Sequence, residues 1–144
     1  MRTAMLAAIV AAALVLAPAR AADGTDGDVR RFDGTWTTIV DCARASDGAL
    51  GYTLQFDSKI KDGVLYGERD REGQPGWMKL EGRVEPSGQA MLSARGLTAD
   101  PRYSVNRVQT LSPYSYHVKA QFDERQGTGT RIELRKCELT FRRQ

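Results

Sequence analysis

The chain has 144 residues, with 21 Lys+Arg against 18 Asp+Glu, one His and two Cys. That length builds one modest hydrophobic core and not two. One His and two Cys are too few for a Cys/His metal site, and 41% apolar content excludes a long disordered chain.

The first element is a targeting signal. Met1-Arg2-Thr3 carries a positive charge, Met5 to Leu16 is an unbroken apolar run, and Ala19-Arg20-Ala21 puts small residues where a signal peptidase reads. Residues 1–21 are therefore predicted to be a signal peptide cleaved between Ala21 and Ala22, sending the protein to the periplasm or outside the cell. The apolar run is shorter than the roughly 20 residues that span a bilayer, so no transmembrane segment is expected in the mature form. Without those residues the charged groups become 19 basic against 18 acidic. The pI of about 9.0 is thus weak evidence for a nucleic-acid partner, and none is expected. Export also constrains the cysteines: in an oxidising compartment, Cys42 and Cys137 are expected to form one disulfide.

Residues 22–31 are almost devoid of apolar side chains and read as a flexible leader, followed by a single domain over 32–144. From Phe32 onward the apolar period is two. Tyr52, Leu54 and Phe56 alternate with polar residues, as do Met78, Leu80 and Val84, and later Tyr114, Tyr116, Val118, Ala120 and Phe122. Each run is the pattern of a strand with one dry and one wet face. Lys61-Asp62-Gly63 and Glu85-Pro86-Ser87-Gly88 carry hairpin chemistry, whereas Gly73-Gln74-Pro75-Gly76, Asp100-Pro101 and Gln126-Gly127-Thr128-Gly129 mark longer connections. The predicted strands are 34–42, 51–60, 64–69, 76–84, 89–96, 103–109, 115–124 and 129–142, with a possible helical turn near 97–100. Eight short strands at regular spacing predict a barrel or a sandwich.

The cysteines favour the barrel. Bridging Cys42 to Cys137 with the first and last strands antiparallel pairs residues whose numbers sum to about 179, so Thr38 faces Phe141 and Trp36 faces Arg143. Such pairing closes the sheet and leaves no edge. The apolar parity of the last segment switches between Leu134 and Cys137, which predicts a bulge at Arg135-Lys136. The fold class expected is all-β: an eight-stranded antiparallel up-and-down barrel with one disulfide joining its first and last strands.

Phe32-Asp33-Gly34-Thr35-Trp36 resembles the Gly-x-Trp opening of calycin-like barrels, the lipocalin, fatty-acid-binding and avidin groups. The resemblance implies that Trp36 packs across the barrel floor beneath an Arg of the last strand, for which Arg142 and Arg143 are candidates. Gly34, Trp36 and Arg143 form this expected structural motif. A longer resemblance, from FDGTW through Cys42, GALGYT, DGVLYGERDREGQPGW and GTGTR to Cys137, is to small exported β-barrel proteins of α-proteobacteria without an assigned activity. It implies export, the disulfide and a barrel, and brings no catalytic residue.

Glu68, Asp70 and Glu72 cluster around a predicted hairpin, interleaved with Arg69 and Arg71. Paired carboxylates can act as general acid and base on a sugar, yet alternating charge is also the ordinary dress of a solvated loop. His117 lies on the polar parity without a nucleophile or a second His beside it, and reads as a surface residue. Tyr52, Phe56, Tyr116, Phe122 and Phe141 read as core. Trp77, Tyr66, Tyr103 and Tyr114 fall on polar parity or near strand ends, and with Arg107 or Arg102 they could line a mouth. The binding candidates are therefore Trp77, Tyr66, Tyr103, Arg107 and Tyr114. The basic tail, with Arg131, Arg135, Lys136, Arg142 and Arg143, reads as edge protection or a face for an anionic polymer. Large apolar residues predict a filled interior with recognition at the loops. The function expected is non-enzymatic binding of a small ligand or an envelope or protein partner by a monomer, without cofactor or metal. Inhibition of an exported enzyme through the leader, and a carboxylate-dependent hydrolase, are the alternatives.

Overall fold

A sheet that curls round one face buries the alternate side chains on that face, and the chain does this completely. A computed structural model describes residues 27–144. The predicted signal segment and the first part of the leader lie outside the described residues. Strands β1 (Gly34–Cys42), β2 (Tyr52–Lys61), β3 (Val64–Arg69), β4 (Met78–Val84), β5 (Gln89–Leu97), β6 (Pro113–Phe122), β7 (Gln126–Arg131) and β8 (Cys137–Arg143) pair in sequence order as a closed antiparallel barrel. Closure is made by β1 against β8, from Trp36 opposite Arg143 to Cys42 opposite Cys137. This is the register that the cysteines predict. Cys42 and Cys137 are joined in a disulfide.

Two of the predicted strands come out differently. Residues 103–109 are not a strand: Tyr103 ends one 3-10 turn, Pro101–Tyr103, a second covers Val105–Arg107, and Val108 and Gln109 are irregular. Pro101 presets the turn, the Asp100 carboxylate accepts the Arg102 N–H, and Asn106 and Arg107 take positive φ of 60° and 51°. The segment expected to be one bulged strand, 129–142, is instead β7 and β8 with a connection over 132–136. Leu134 in that connection has φ 64°. The parity switch thus marks a whole turn. Gln126–Gly129, expected as a loop, is strand, because inward Gly127 and Gly129 leave room for the Phe122 ring and Val118. The leader is not featureless either: Val29–Phe32 form a 3-10 turn capped by Asp28.

The two ends of the barrel differ. At one end, Phe32, Trp36, Ile60, Leu65, Val84, Phe122 and Phe141 are buried and close the floor. Trp36 stands edge-on to Phe122 at 5.5 Å, and its indole N–H donates to the Phe32 carbonyl at 2.9 Å. The Arg143 guanidinium donates to the carbonyls of Arg31, Asp33 and Glu124, tying the Val29–Phe32 turn to the 123–125 turn. Gly34, at φ 146°, gives that guanidinium its space, since a Cβ there would lie 3.2 Å from Arg143 Nε. The disulfide sits at the opposite end, where the long connections 43–51, 70–77, 98–112 and 132–136 surround an opening.

Candidate functional site: the open end of the barrel

The inward parity of β2, β3, β6 and β7 changes character towards this opening. On β2 it runs from Ile60, Ser58 and Phe56 to Leu54 and Tyr52; on β3, from Leu65 and Gly67 to Arg69. On β6 it runs from Val118 to Tyr116 and Tyr114, and on β7 from Gly127 and Gly129 to Arg131. Apolar floor therefore gives way to aromatic and cationic side chains. The result is a cavity of about 660 Å³ open to solvent. Its strand walls include Tyr52, Leu54, Arg69, Leu97, Tyr114 and Arg131, and the connections add Tyr103, Val105, Val108, Leu134 and Arg135. The interior is thus filled at the floor and hollow at the mouth, which corrects the expectation of a filled barrel.

The aromatic groups are held in place. Tyr114 stacks on Tyr116 at 6.1 Å with 8° between planes, and Tyr52 meets Tyr103 edge-on at 6.5 Å. The Tyr114 ring lies over Gly96, where a Cβ would come within 2.6 Å of the phenol oxygen. Burial pushes both the Tyr114 and Tyr116 hydroxyls well above the ordinary phenol range, so they remain protonated donors.

Arg135 is the tie among the loops. It is 5% exposed and donates to the carbonyls of Tyr103 at 2.8 Å and Leu50 at 2.9 Å, and also to that of Ala43. One guanidinium thereby joins three of the four connections at this end. Asp47 adds a second tie: its carboxylate accepts the Ala49 N–H at 3.0 Å and the Asn106 N–H at 2.6 Å. Those backbone donors hold the Asp47 carboxyl below its usual range.

Of the five predicted binding residues, Tyr103 and Tyr114 line this cavity and the other three do not. Tyr66 and Trp77 lie together on the outer wall, both on Glu68: the Tyr66 hydroxyl donates to Oε2 and the Trp77 indole N–H to Oε1, each at 2.7 Å. Trp77 is only 7% exposed, although its polar parity predicted an exposed ring. Parity tells which face of the wall a ring occupies, not whether neighbouring chain covers it. Arg107 lies beside Gly48 of the 43–51 connection.

The acids that could have formed a catalytic pair have separate partners. Hydrogen bonds from Trp77 and Tyr66 hold the Glu68 carboxyl below its ordinary value, which keeps it ionised, and Asp70 is ion-paired to Arg69 at 2.9 Å. His117 meets Glu133 on the outer face, Nδ1 to Oε1 at 2.6 Å. Among the described residues, no three His, Cys, Asp or Glu side chains stand together where they could hold a metal ion, and no helix is long and apolar enough to cross a membrane.

Sequence reasoning assigned Tyr52 to the core and Arg131 and Arg135 to a basic tail. The available signal was a cation on an apolar parity: Arg69 follows Leu65 and Gly67, and Arg131 follows Gly127 and Gly129. No family model matches the chain, and no curated protein or solved structure matches it. The disulfide-clasped barrel and its open end are what the molecule itself offers as a guide to function.

Proposed function

We propose that this chain is a non-enzymatic binding module that takes a small ligand into the open end of its barrel. One observation carries the reading: a hollow of about 660 Å³ with apolar and aromatic walls and a few convergent polar groups, on a floor that is already packed. Ligand sites are concave, mostly apolar and within about 300–1,000 Å³. The protein is exported, residues 1–21 being removed, and acts in the periplasm or outside the cell. The Cys42–Cys137 bridge supports this, because disulfides persist in oxidising compartments. A hydrolase is the weaker reading, since Glu68 and Asp70 have separate partners and neither lines the cavity.

Titration with N-phenyl-1-naphthylamine, a neutral dye whose emission rises in apolar surroundings, tests the reading. The wild-type chain is expected to bind the dye saturably. Leu54→Trp, which fills the hollow from the inward face of β2, is expected to lose that signal while keeping its melting temperature. No saturable signal from the wild type, or an undiminished one from Leu54→Trp, contradicts the reading. A partner surface at the same end is a second reading, favoured by Leu134, 80% exposed on the rim. Ile132→Asp, 55% exposed on the same connection but off the cavity wall, separates the two, leaving dye binding intact while removing any such partner.

A further inference from the structure

We propose that the cavity selects a small organic carboxylate, an anionic head on an apolar body, with that head against Arg131 and the hydroxyls of Tyr52 and Tyr114. The proposal rests on the cavity being a ligand site and names the chemistry of its occupant.

Arg131 projects inward from the end of β7, with its guanidinium carbon 4.0 Å from the centre of the Tyr116 ring. Its Nε is sealed from solvent and has no hydrogen-bond partner. Nη1 reaches only the Cys137 sulfur, at 4.0 Å. Among the described residues, no carboxylate lies within ion-pairing distance of Arg131. The other cations at the cavity are engaged: Arg135 by three carbonyls, Arg69 by Asp70 and the Gly76 carbonyl. The one acid on the cavity wall, Asp100, is chelated by Arg102 at 2.6 Å. Arg135 also has no carboxylate partner and a sealed Nε, but its two Nη nitrogens are taken up by carbonyls, so Arg131 is the cation of the hollow whose guanidinium meets no oxygen.

A half-buried cation without a counter-ion is costly, and an incoming anion removes that cost. The hydroxyls of Tyr52 and Tyr114, both on the cavity wall, make no hydrogen bond among the described residues, and burial keeps that of Tyr114 protonated. They are donors for the oxygens of the same head group. Leu54, Leu97 and Val108 supply the apolar wall for its body. The planar fork of the Arg131 guanidinium matches the two oxygens of a carboxylate.

Calorimetry at neutral pH on the disulfide-bonded chain, with decanoate, 1-decanol and decyltrimethylammonium, tests this. The three share a tail and differ in the charge of the head. Decanoate is expected to bind about 10- to 100-fold more tightly than decanol, the range for a hydrogen-bonded charged group, and the cation not at all. Arg131→Gln is expected to reduce decanoate to the level of decanol at unchanged melting temperature, with Arg131→Lys retaining part of the preference. Equal binding of decanoate and decanol by the wild type, with both displacing N-phenyl-1-naphthylamine, overturns the anion assignment and leaves the ligand-site reading standing. A preference for decanoate that survives Arg131→Gln overturns the role of Arg131. No binding of dye, decanoate or decanol overturns the ligand-site reading itself.

Discussion

Gly96 shows how a single hydrogen in place of a side chain shapes the mouth. It faces inward opposite Tyr114, and a Cβ there would lie 2.3 Å from the Trp77 carbonyl and 2.6 Å from the Tyr114 hydroxyl. A backbone carbonyl in the ladder has nowhere to go, so Gly96→Ala is expected to destabilise by about 1–3 kcal/mol and to tilt the Tyr114 ring into the cavity. A urea midpoint and the dye titration report the two effects separately. The same position shows what alternation leaves unread. Tyr114 stands out in the sequence as an aromatic residue near a strand end, but the glycine that seats it is the last residue of the expected strand 89–96 and reads there as a boundary, not as a seat for a ring. Arg131 is less legible still. Its inward direction is visible only once Gly127 and Gly129 are recognised as strand residues, and two glycines in four positions carry the composition of a loop.

At the scale of elements, β1 to β5 follow from alternation and turn chemistry, with bounds within two residues of expectation. The failures share a cause. Residues 98–112 and 132–136 have no periodicity of their own, and long-range bonds from Arg135 and Asp47 decide their shape. Replacing Arg135 by Met keeps much of its volume and leaves three carbonyls without their donor. It is expected to cost roughly 3 kcal/mol in denaturant melts and to raise hydrogen exchange in all three connections. Asp47 makes the mouth sensitive to acid. Its folded-state value lies below that of the unfolded chain, so its contribution is complete above the ordinary carboxylate range and disappears as the pH falls through the depressed value. Amide exchange at Ala49 and Asn106 is therefore expected to accelerate below about pH 4 relative to the floor amides, and to be fast at every pH in Asp47→Ala.

The whole molecule is a cylinder closed twice, once by the β1–β8 ladder and once by a covalent clasp at the open end. The clasp closes a chain separation of 95 residues, for which the chain-entropy model gives about 4–5 kcal/mol. Replacing both cysteines by Ser is expected to lower the urea midpoint by an amount of that order or somewhat less. The barrel's far-UV signature should remain, because six further residue pairs join β1 to β8. Closure was legible in the sequence since two cysteines at the two ends of the domain fix one register. The hollow was not, because side-chain identity along a strand does not say where the packing of eight inward faces runs out.

The central claim is that the two ends have different jobs, a packed floor and a receptive mouth. Titrating N-phenyl-1-naphthylamine into ¹⁵N-labelled protein and following the backbone amide resonances tests it most directly. Shifts confined to the amides of Tyr52, Leu54, Leu97, Tyr114 and Arg131, with Trp36, Ile60, Val84 and Phe122 unmoved, are the predicted result. Shifts centred on the floor or the outer wall, or none at saturating dye, would contradict it.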